Sequence, residues 1–384
     1  MTSKRSEATR APKPEDYFLE VLKIVNGALS GDRAKVVTYA ELLAKKLEAA
    51  GAERTAARLR QSLEGHVAAT NLANAEPSDF DRLPVDSESR LPLADVELLA
   101  PGASDVFLEP ETNQRLTEFL RNTRSASQLL AHGVGIAPSL LIYGPPGCGK
   151  TEIARFISAQ LSLPLLTARS DSLISSFLGS TAKNVRHLFE SAMRRPCVLF
   201  LDEFDALAKK RDDHNELGEL KRVVISLLQN IDSLDGKTII VAATNHQHLL
   251  DPAVWRRFSY RIEVTLPTLN VRCGLFTHFL RTFTPAESID SLAAASEGLT
   301  GADIKEISED SIRHAIFAGE ATASLDSLLR GVLRHRLGQA FSFSPTAENL
   351  KKVRSLSQEV FSYRRLSSIF GIALGSVGHL LAEQ

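Results

Sequence analysis

The chain has 384 residues, of which 43% are hydrophobic and 24% charged, with 45 lysines and arginines against 46 acids. This balance fits a globular protein of two or three domains and excludes wholesale disorder or a fibrous repeat, while a net charge of -1 argues against a general nucleic-acid binder, which carries a basic excess. Cys148, Cys197 and Cys273 are too few and too scattered for a disulfide framework or a zinc site, and suit a reducing cytoplasm.

The N-terminal stretch MTSKRSEATRAPKPEDYF has basic residues with no apolar region behind them, so a tail is expected rather than a signal peptide or an anchor. The longest apolar candidate, Ile369 to Leu381, is broken by Gly371, Gly375 and Gly378, and no membrane span is expected. Phe18, Leu22, Val25 and Leu29, then Val36, Ala40, Leu43 and Leu47, then Leu59 and Leu63 recur at helical spacing. They predict a three-helix bundle within residues 1–70, a module that holds or orients a partner. Residues 71–110 are rich in Pro, Ser, Asp and Glu and read as a linker with one docked patch.

From there the pattern alternates. Short apolar runs at Leu140 to Tyr143, Leu163 to Ala168, Val198 to Leu201, Thr238 to Ala243 and Ile262 to Leu266 are separated by helical stretches. They predict an α/β domain over residues 111–268, a mainly parallel sheet with helices on both faces. A strand-free helical pattern follows and predicts an all-α lid over residues 269–342, with a further helical segment over residues 343–384.

Directly after the first of these strands stands GPPGCGKT, Gly144 to Thr151, which fits the phosphate-binding loop pattern and leads into a helix. Its glycines let successive backbone N–H groups turn around the phosphates, and the helix N-terminus adds partial positive charge. The candidate nucleotide-binding residues here are Pro146, Gly147, Cys148, Gly149, Lys150, Thr151 and Glu152. Lys150 supplies a charge to the phosphates, Thr151 offers a hydroxyl to Mg²⁺, and Cys148 reads as a small spacer. CVLFLDEFDAL places Asp202 and Glu203 at a strand end, where open α/β sheets hold their ligands. Asp202 is suited to the water shell of Mg²⁺, Glu203 to orienting or deprotonating the attacking water, and Asp205 to a supporting role. The next strand ends in Asn245, able to position that water beside the γ-phosphate, although an Asn after a strand is most often a turn residue.

With these motifs in order, the chain from about Val106 to Arg334 resembles the AAA+ ATPases, and within them the AAA clade. The resemblance implies a P-loop sheet domain with a helical lid, ATP and Mg²⁺ as ligands, and a homo-oligomer, expected to be a hexameric ring. In that family the segment matching LDPAVWRRF carries arginine fingers that reach the neighbouring subunit's γ-phosphate, which points to Arg256 and Arg257, with Arg261 able to replace one of them. The short form WRRFSYRIEVTLP is most similar to the group that includes katanin and spastin. GLTGADI resembles the sensor-2 segment, so Gly301 and Ala302 are expected to line the nucleotide. HGVGIAPSLLIYG resembles the stretch touching adenine, with Gly135 and Ile136 as the contacts. SSFLGST is similar to pore loop 1 of protein-threading members, which makes Phe177, Leu178 and Gly179 candidate substrate contacts. A lone Phe before Gly is otherwise usually a core residue. A second pore loop is expected within Lys209 to Leu220.

His246 and His248 have no acid or cysteine cluster beside them in the sequence, so no metal is expected there. The C-terminal SYRRLSSIFGIALGSVGHLL has the rhythm of a helix-turn-helix, but its second helix lacks Lys and Arg, which favours packing or docking over DNA reading. The expected function is an ATP-hydrolysing cytoplasmic AAA protein. It would move or unfold a protein substrate through a ring pore, choose partners through its N-terminal bundle, and be able to serve a separately encoded effector such as a protease. The alternatives are a DNA-associated ATPase, disfavoured by the neutral charge, and a nucleotide-gated scaffold, disfavoured because a scaffold need only bind.

Overall fold

Strands buried on both faces need apolar residues throughout rather than in alternation, and VLFL at 198–201 and IIVAAT at 239–244 meet that condition with every residue buried. The computed structural model describes residues 17–29, 33–49, 52, 55–57, 84–86, 90–134, 138–173, 178–208, 219–234, 236–285 and 289–382. The chain divides into two compact units, residues 1–74 and 75–384.

In the first unit, α1 (Phe18–Leu29) packs on α2 (Arg33–Ala49). The seam is narrow, built on Ala40 and Ala44. The periodicity put Leu22 and Val25 inward, yet they are 44% and 46% exposed, while Glu20 is buried beside Lys46 at 2.7 Å. Paired charges and alanines, which let helices approach closely, displace the larger aliphatics here.

The second unit holds a six-stranded sheet in the order β1-β3-β4-β5-β2-β6: β1 (Ala94–Glu97), β2 (Ser139–Tyr143), β3 (Leu165–Ala168), β4 (Val198–Leu201), β5 (Ile239–Thr244) and β6 (Tyr260–Glu263). All neighbours run parallel except β1, which is antiparallel to β3 with Ala94 opposite Ala168. Two expectations need correction. Residues 71–110 are not linker throughout, because Leu93 and Ala94 are fully buried against the sheet and β1 forms its edge; four residues among prolines and acids carry too short a pattern to stand out. The last strand lies at Tyr260–Glu263 rather than Ile262 to Leu266, its register fixed by pairing Tyr260 with Leu140 and Glu263 with Tyr143.

Around the sheet run α3 (Pro110–Arg124), α4 (Lys150–Leu161), α5 (Leu178–Ala192) and α6 (Glu219–Asp232). The lid follows with α7 (Leu269–Leu280), α8 (Ile289–Ala295), α9 (Gly301–Ala318) and α10 (Leu325–Leu337), then α11 (Ala347–Leu356), α12 (Tyr363–Phe370) and α13 (Leu374–Ala382). The C-terminal helices share one core with the lid: Leu350, Phe361, Leu366 and Val377 cluster with Phe276, Leu328 and Val332. Polar ties reinforce the junction, with Arg365 at 2.8 Å from Asp326 and Arg330 donating to the Ile369 carbonyl at 3.1 Å. The α12–α13 pair, bent by 106°, therefore packs inward through Leu366, Ile369, Phe370 and Val377. Among the described residues no single helix is long and apolar enough to cross a membrane.

Candidate nucleotide-binding site

The carboxyl ends of β2, β4 and β5 converge on one cleft of ≈ 1100 Å³. β2 runs into Gly144, whose φ of +146° and whose approach to the Val264 carbonyl, 1.9 Å from where a Cβ would stand, admit only glycine. Gly147 and Gly149 take left-handed φ values of +74° and +89°, as a loop that turns its N–H groups inward requires. The N-cap of α4 is Gly149, and among the described residues no side-chain cap bond closes its first turn, so its leading N–H groups are suited to an anion. The Lys150 ammonium lies folded onto the loop, donating to the Gly144 and Pro145 carbonyls at 2.8 and 2.7 Å. Burial pulls its pKa below the ordinary lysine value, against the opposing pull of Cys148 and Asp202. Burial also pushes the Cys148 thiol up, consistent with a spacer rather than a reactive thiolate.

Across the loop, Thr151 Oγ1 donates to Asp202 Oδ2 at 3.1 Å. Glu203 adopts φ +49°, a left-handed conformation uncommon outside glycine, and its N–H donates to Asp202 Oδ1 at 2.9 Å. The turn is tied to β5 twice: Phe204 N–H donates to the Ala243 carbonyl at 2.8 Å, and Thr244 Oγ1 donates to Asp205 Oδ1 at 2.6 Å. His246 N–H in turn donates to Thr244 Oγ1 at 2.9 Å. Both neighbours of Asn245 are thereby fixed. Asn245 lines the cleft, and among the described residues its buried Oδ1 accepts no hydrogen bond; a buried acceptor of this kind marks a place for a donor that arrives with a ligand or water.

The lid closes the cleft from above. Ala302 N–H donates to the Gly147 carbonyl at 3.0 Å, and a Cβ on Gly301 would stand 3.4 Å from that same oxygen. α9 opens with a reciprocal capping box, Asp303 N–H donating to Thr300 Oγ1 at 3.2 Å and Thr300 N–H to Asp303 Oδ2 at 2.8 Å. The rest of the wall, which no motif marks, includes Asp105, Val106 and Phe107 before α3 and Leu275, His278 and Phe279 on α7. Phe107 seats in a notch left by Gly274, whose Cβ would come within 2.9 Å of the ring, and meets His278 at 5.1 Å between ring centres. An isolated Gly inside a helical pattern was the one available signal.

Gly135, Ile136 and Phe177 lie outside the described residues, as does 209–218 of the expected second pore loop; Leu178 and Gly179 open α5. Arg256 and Arg257 follow the short helix Pro252–Trp255 and do not line the cleft of their own chain. Arg261 donates to the Trp255 carbonyl at 2.6 Å.

A glycine loop after a central parallel strand, acids on the adjacent strand end and a helical lid together define a P-loop nucleoside triphosphatase domain. A family model described as "ATPase family associated with various cellular activities (AAA)" matches residues 140–266. The chain is 38% identical over 258 residues to the AAA family ATPase y4kL of Sinorhizobium fredii, a match covering 64% of this chain and 76% of that protein. It is 34% identical over 211 residues to the proteasome-activating nucleotidase of Aeropyrum pernix, covering 52% of this chain and 51% of that one. With proteasome-activating nucleotidase 1 of Halobacterium salinarum the identity is 37% over 218 residues, covering 52% and 54%. The chain thus spans about half the length of these nucleotidases. It belongs to the AAA family and is an ATPase.

Proposed function

We propose that the protein is a ring-forming AAA ATPase, a hexamer, that couples ATP hydrolysis at shared subunit interfaces to unfolding or translocation of a protein substrate through the ring pore. The observation that carries the reading is a division of parts: Lys150, Thr151, Asp202, Glu203 and Asn245 converge in one cleft, whereas Arg256 and Arg257 lie outside it. Arginine groups that serve such a site from a second subunit contribute on the order of 10³- to 10⁵-fold in related NTPases, so an isolated chain would be a poor catalyst. Similarity to proteins named proteasome-activating nucleotidases supports a protein client and a separately encoded effector. The grouping with katanin and spastin stands on the short WRRF form alone.

The residues present fit ATP with Mg²⁺. The paired Thr151 hydroxyl and Asp202 carboxylate, 3.1 Å apart, would hold the ion, which neutralises charge on the β- and γ-phosphates when bound. Lys150 exchanges the loop carbonyls for phosphate oxygens. Asn245 Oδ1 accepts from the attacking water, and Glu203 takes its proton as the water oxygen bonds to the γ-phosphorus and ADP leaves. Gly301 and Ala302 close over the nucleotide from the lid, while Gly135 and Ile136 are proposed to meet the adenine. Residues 1–70 would choose the partner, and Phe177, Leu178 and Gly179 would grip the client, since an aromatic ring packs on any extended chain without reading its sequence.

The test measures ATPase rate against protein concentration together with unfolding of a tagged client. Turnover should rise steeply with concentration as rings assemble, and Phe177→Ala should keep turnover and melting temperature while losing client unfolding. Turnover independent of concentration would remove the shared site, and a Phe177→Ala protein that unfolds clients at full rate would remove the grip.

A further inference from the structure

We infer that the two adjacent arginines divide the work: Arg256 alone reaches the nucleotide of the next subunit, and Arg257 is a positioning residue locked to Asp232 of its own chain. The inference deepens the shared-site reading and rests on it. Arg257 is engaged at both ends. Its guanidinium donates through Nε to Asp232 Oδ1 at 3.1 Å and through Nη2 to Asp232 Oδ2 at 3.2 Å, and Nη1 reaches the Ala253 carbonyl at 3.4 Å. This two-point fork on a carboxylate fixes direction as well as distance. Its backbone carbonyl accepts from Ser139 Oγ at 3.0 Å, and the same Ser139 oxygen accepts from Ser259 N–H at 2.9 Å.

The other neighbour of Arg256 is pinned as well. The Trp255 carbonyl accepts from Arg261 Nη2 at 2.6 Å, its ring lies 5.9 Å below the Arg261 guanidinium, and Tyr143 meets it edge-on at 5.2 Å. Tyr143 is the last residue of β2 before the phosphate loop. Asp251 caps the short helix by accepting from Ala253 N–H at 2.7 Å. The Arg256 side chain is exposed and, among the described residues, makes no hydrogen bond or ion pair, while its backbone N–H donates to the Val254 carbonyl. A guanidinium forked onto a carboxylate would have to leave it to contact a phosphate, whereas one projecting from a turn held on both sides meets a second subunit without losing a partner. Asp232, the last residue of α6, thereby acts on the neighbour's site through Arg257 and the backbone that carries Arg256.

The test uses the full-length protein and compares kcat, KM for ATP, binding of a fluorescent ATP analogue and melting temperature across five variants. Arg256→Ala should lose on the order of 10³-fold in kcat with analogue binding unchanged. Arg257→Ala and Asp232→Ala should each lose only about 10-fold in kcat at unchanged KM, short of the roughly 10² that a 1 Å misplacement can cost. Their double variant should be no worse than either single. The exchanged pair Asp232→Arg with Arg257→Asp should recover most of the loss, which a purely local destabilisation would not do. If Arg257→Ala is as damaging as Arg256→Ala and the exchange rescues nothing, Arg257 is itself the trans residue and the division is wrong. If Asp232→Ala is silent while Arg257→Ala is impaired, the lock is irrelevant. If neither arginine alters turnover, the shared-site reading itself fails.

Discussion

The floor of the nucleotide cleft hangs from strands whose residues are buried on both faces, whereas its roof touches that floor through a few polar contacts and keeps a core of its own. On the floor, Gly144 is fixed by the Val264 carbonyl, and Glu203 and Asn245 by bonds that bridge β4 to β5. On the roof, the bond from Ala302 N–H to the Gly147 carbonyl and the capping box behind it hold a lid built separately around Phe276, Leu328 and Phe361. On the proposed reading, the difference would place the reacting groups on the part tied into the sheet and leave entry and exit of nucleotide to the part with a core of its own.

The largest expected effect lies on the floor. Glu203→Gln should bind ATP and slow turnover by about 10²- to 10⁴-fold, the usual effect of removing a water-activating group, whereas Lys150→Ala should lose nucleotide binding itself. Steady-state ATPase and equilibrium binding separate the two. Full turnover in the Gln protein would move the chemistry away from Glu203.

A comparable energy should appear in the roof as stability instead of rate. Phe361 is fully buried among lid residues though it lies beyond the last lid helix expected from sequence. Phe361→Ala should cost about 3–5 kcal/mol in the lid, read as an early melting transition by calorimetry or as loss of amide protection confined to residues 269–382. Protection unchanged there would mean that the C-terminal segment is an appendage.

At the seam the effects should be smaller. Gly147→Ala sets a Cβ at 2.8 Å from Thr300 Oγ1 and 3.2 Å from Ala302 Cβ, in a left-handed conformation. The backbone strain alone is about 1–2 kcal/mol, or roughly tenfold in ATP affinity. The melting temperature should hardly change, since the clash is with a lid that can step back. An unaffected affinity would show that lid and loop do not need each other.

The sequence spelled out the floor more fully than the roof, for a physical reason. GPPGCGKT and LFLDEF are contiguous because a phosphate cradle and a strand-end carboxylate are local constructions, and continuous apolar runs announced β2 to β5. The roof wall is assembled from residues far apart in the chain, with Phe107 finding Gly274 only after folding. β1 escaped notice because one of its faces is open and only four residues pair. In α1 the helical period was right and the inward face was not, since nothing in a single helix says that Glu20 will meet Lys46.

The smallest expected effect tests whether the roof acts through its attachment or only through its bulk. Thr300 caps α9, accepting from Asp303 N–H at 3.2 Å and donating to Asp303 Oδ2 at 2.7 Å. Thr300→Val preserves shape and removes the hydroxyl. Losing a cap of this type costs about 1 kcal/mol, and because α9 starts one residue before the amide that holds Gly147, the cost should fall on the docked state of the lid more than on its core. The expectation is therefore a several-fold faster release of a fluorescent ADP analogue in stopped flow, with little change in melting temperature or in the rate of the chemical step in a single turnover. Thr300→Ser should restore slow release. Equal release from Val and Ser proteins would mean that the capping box merely starts a helix, and that the lid is held down by the hydrophobic wall of Leu275 and Phe279 instead.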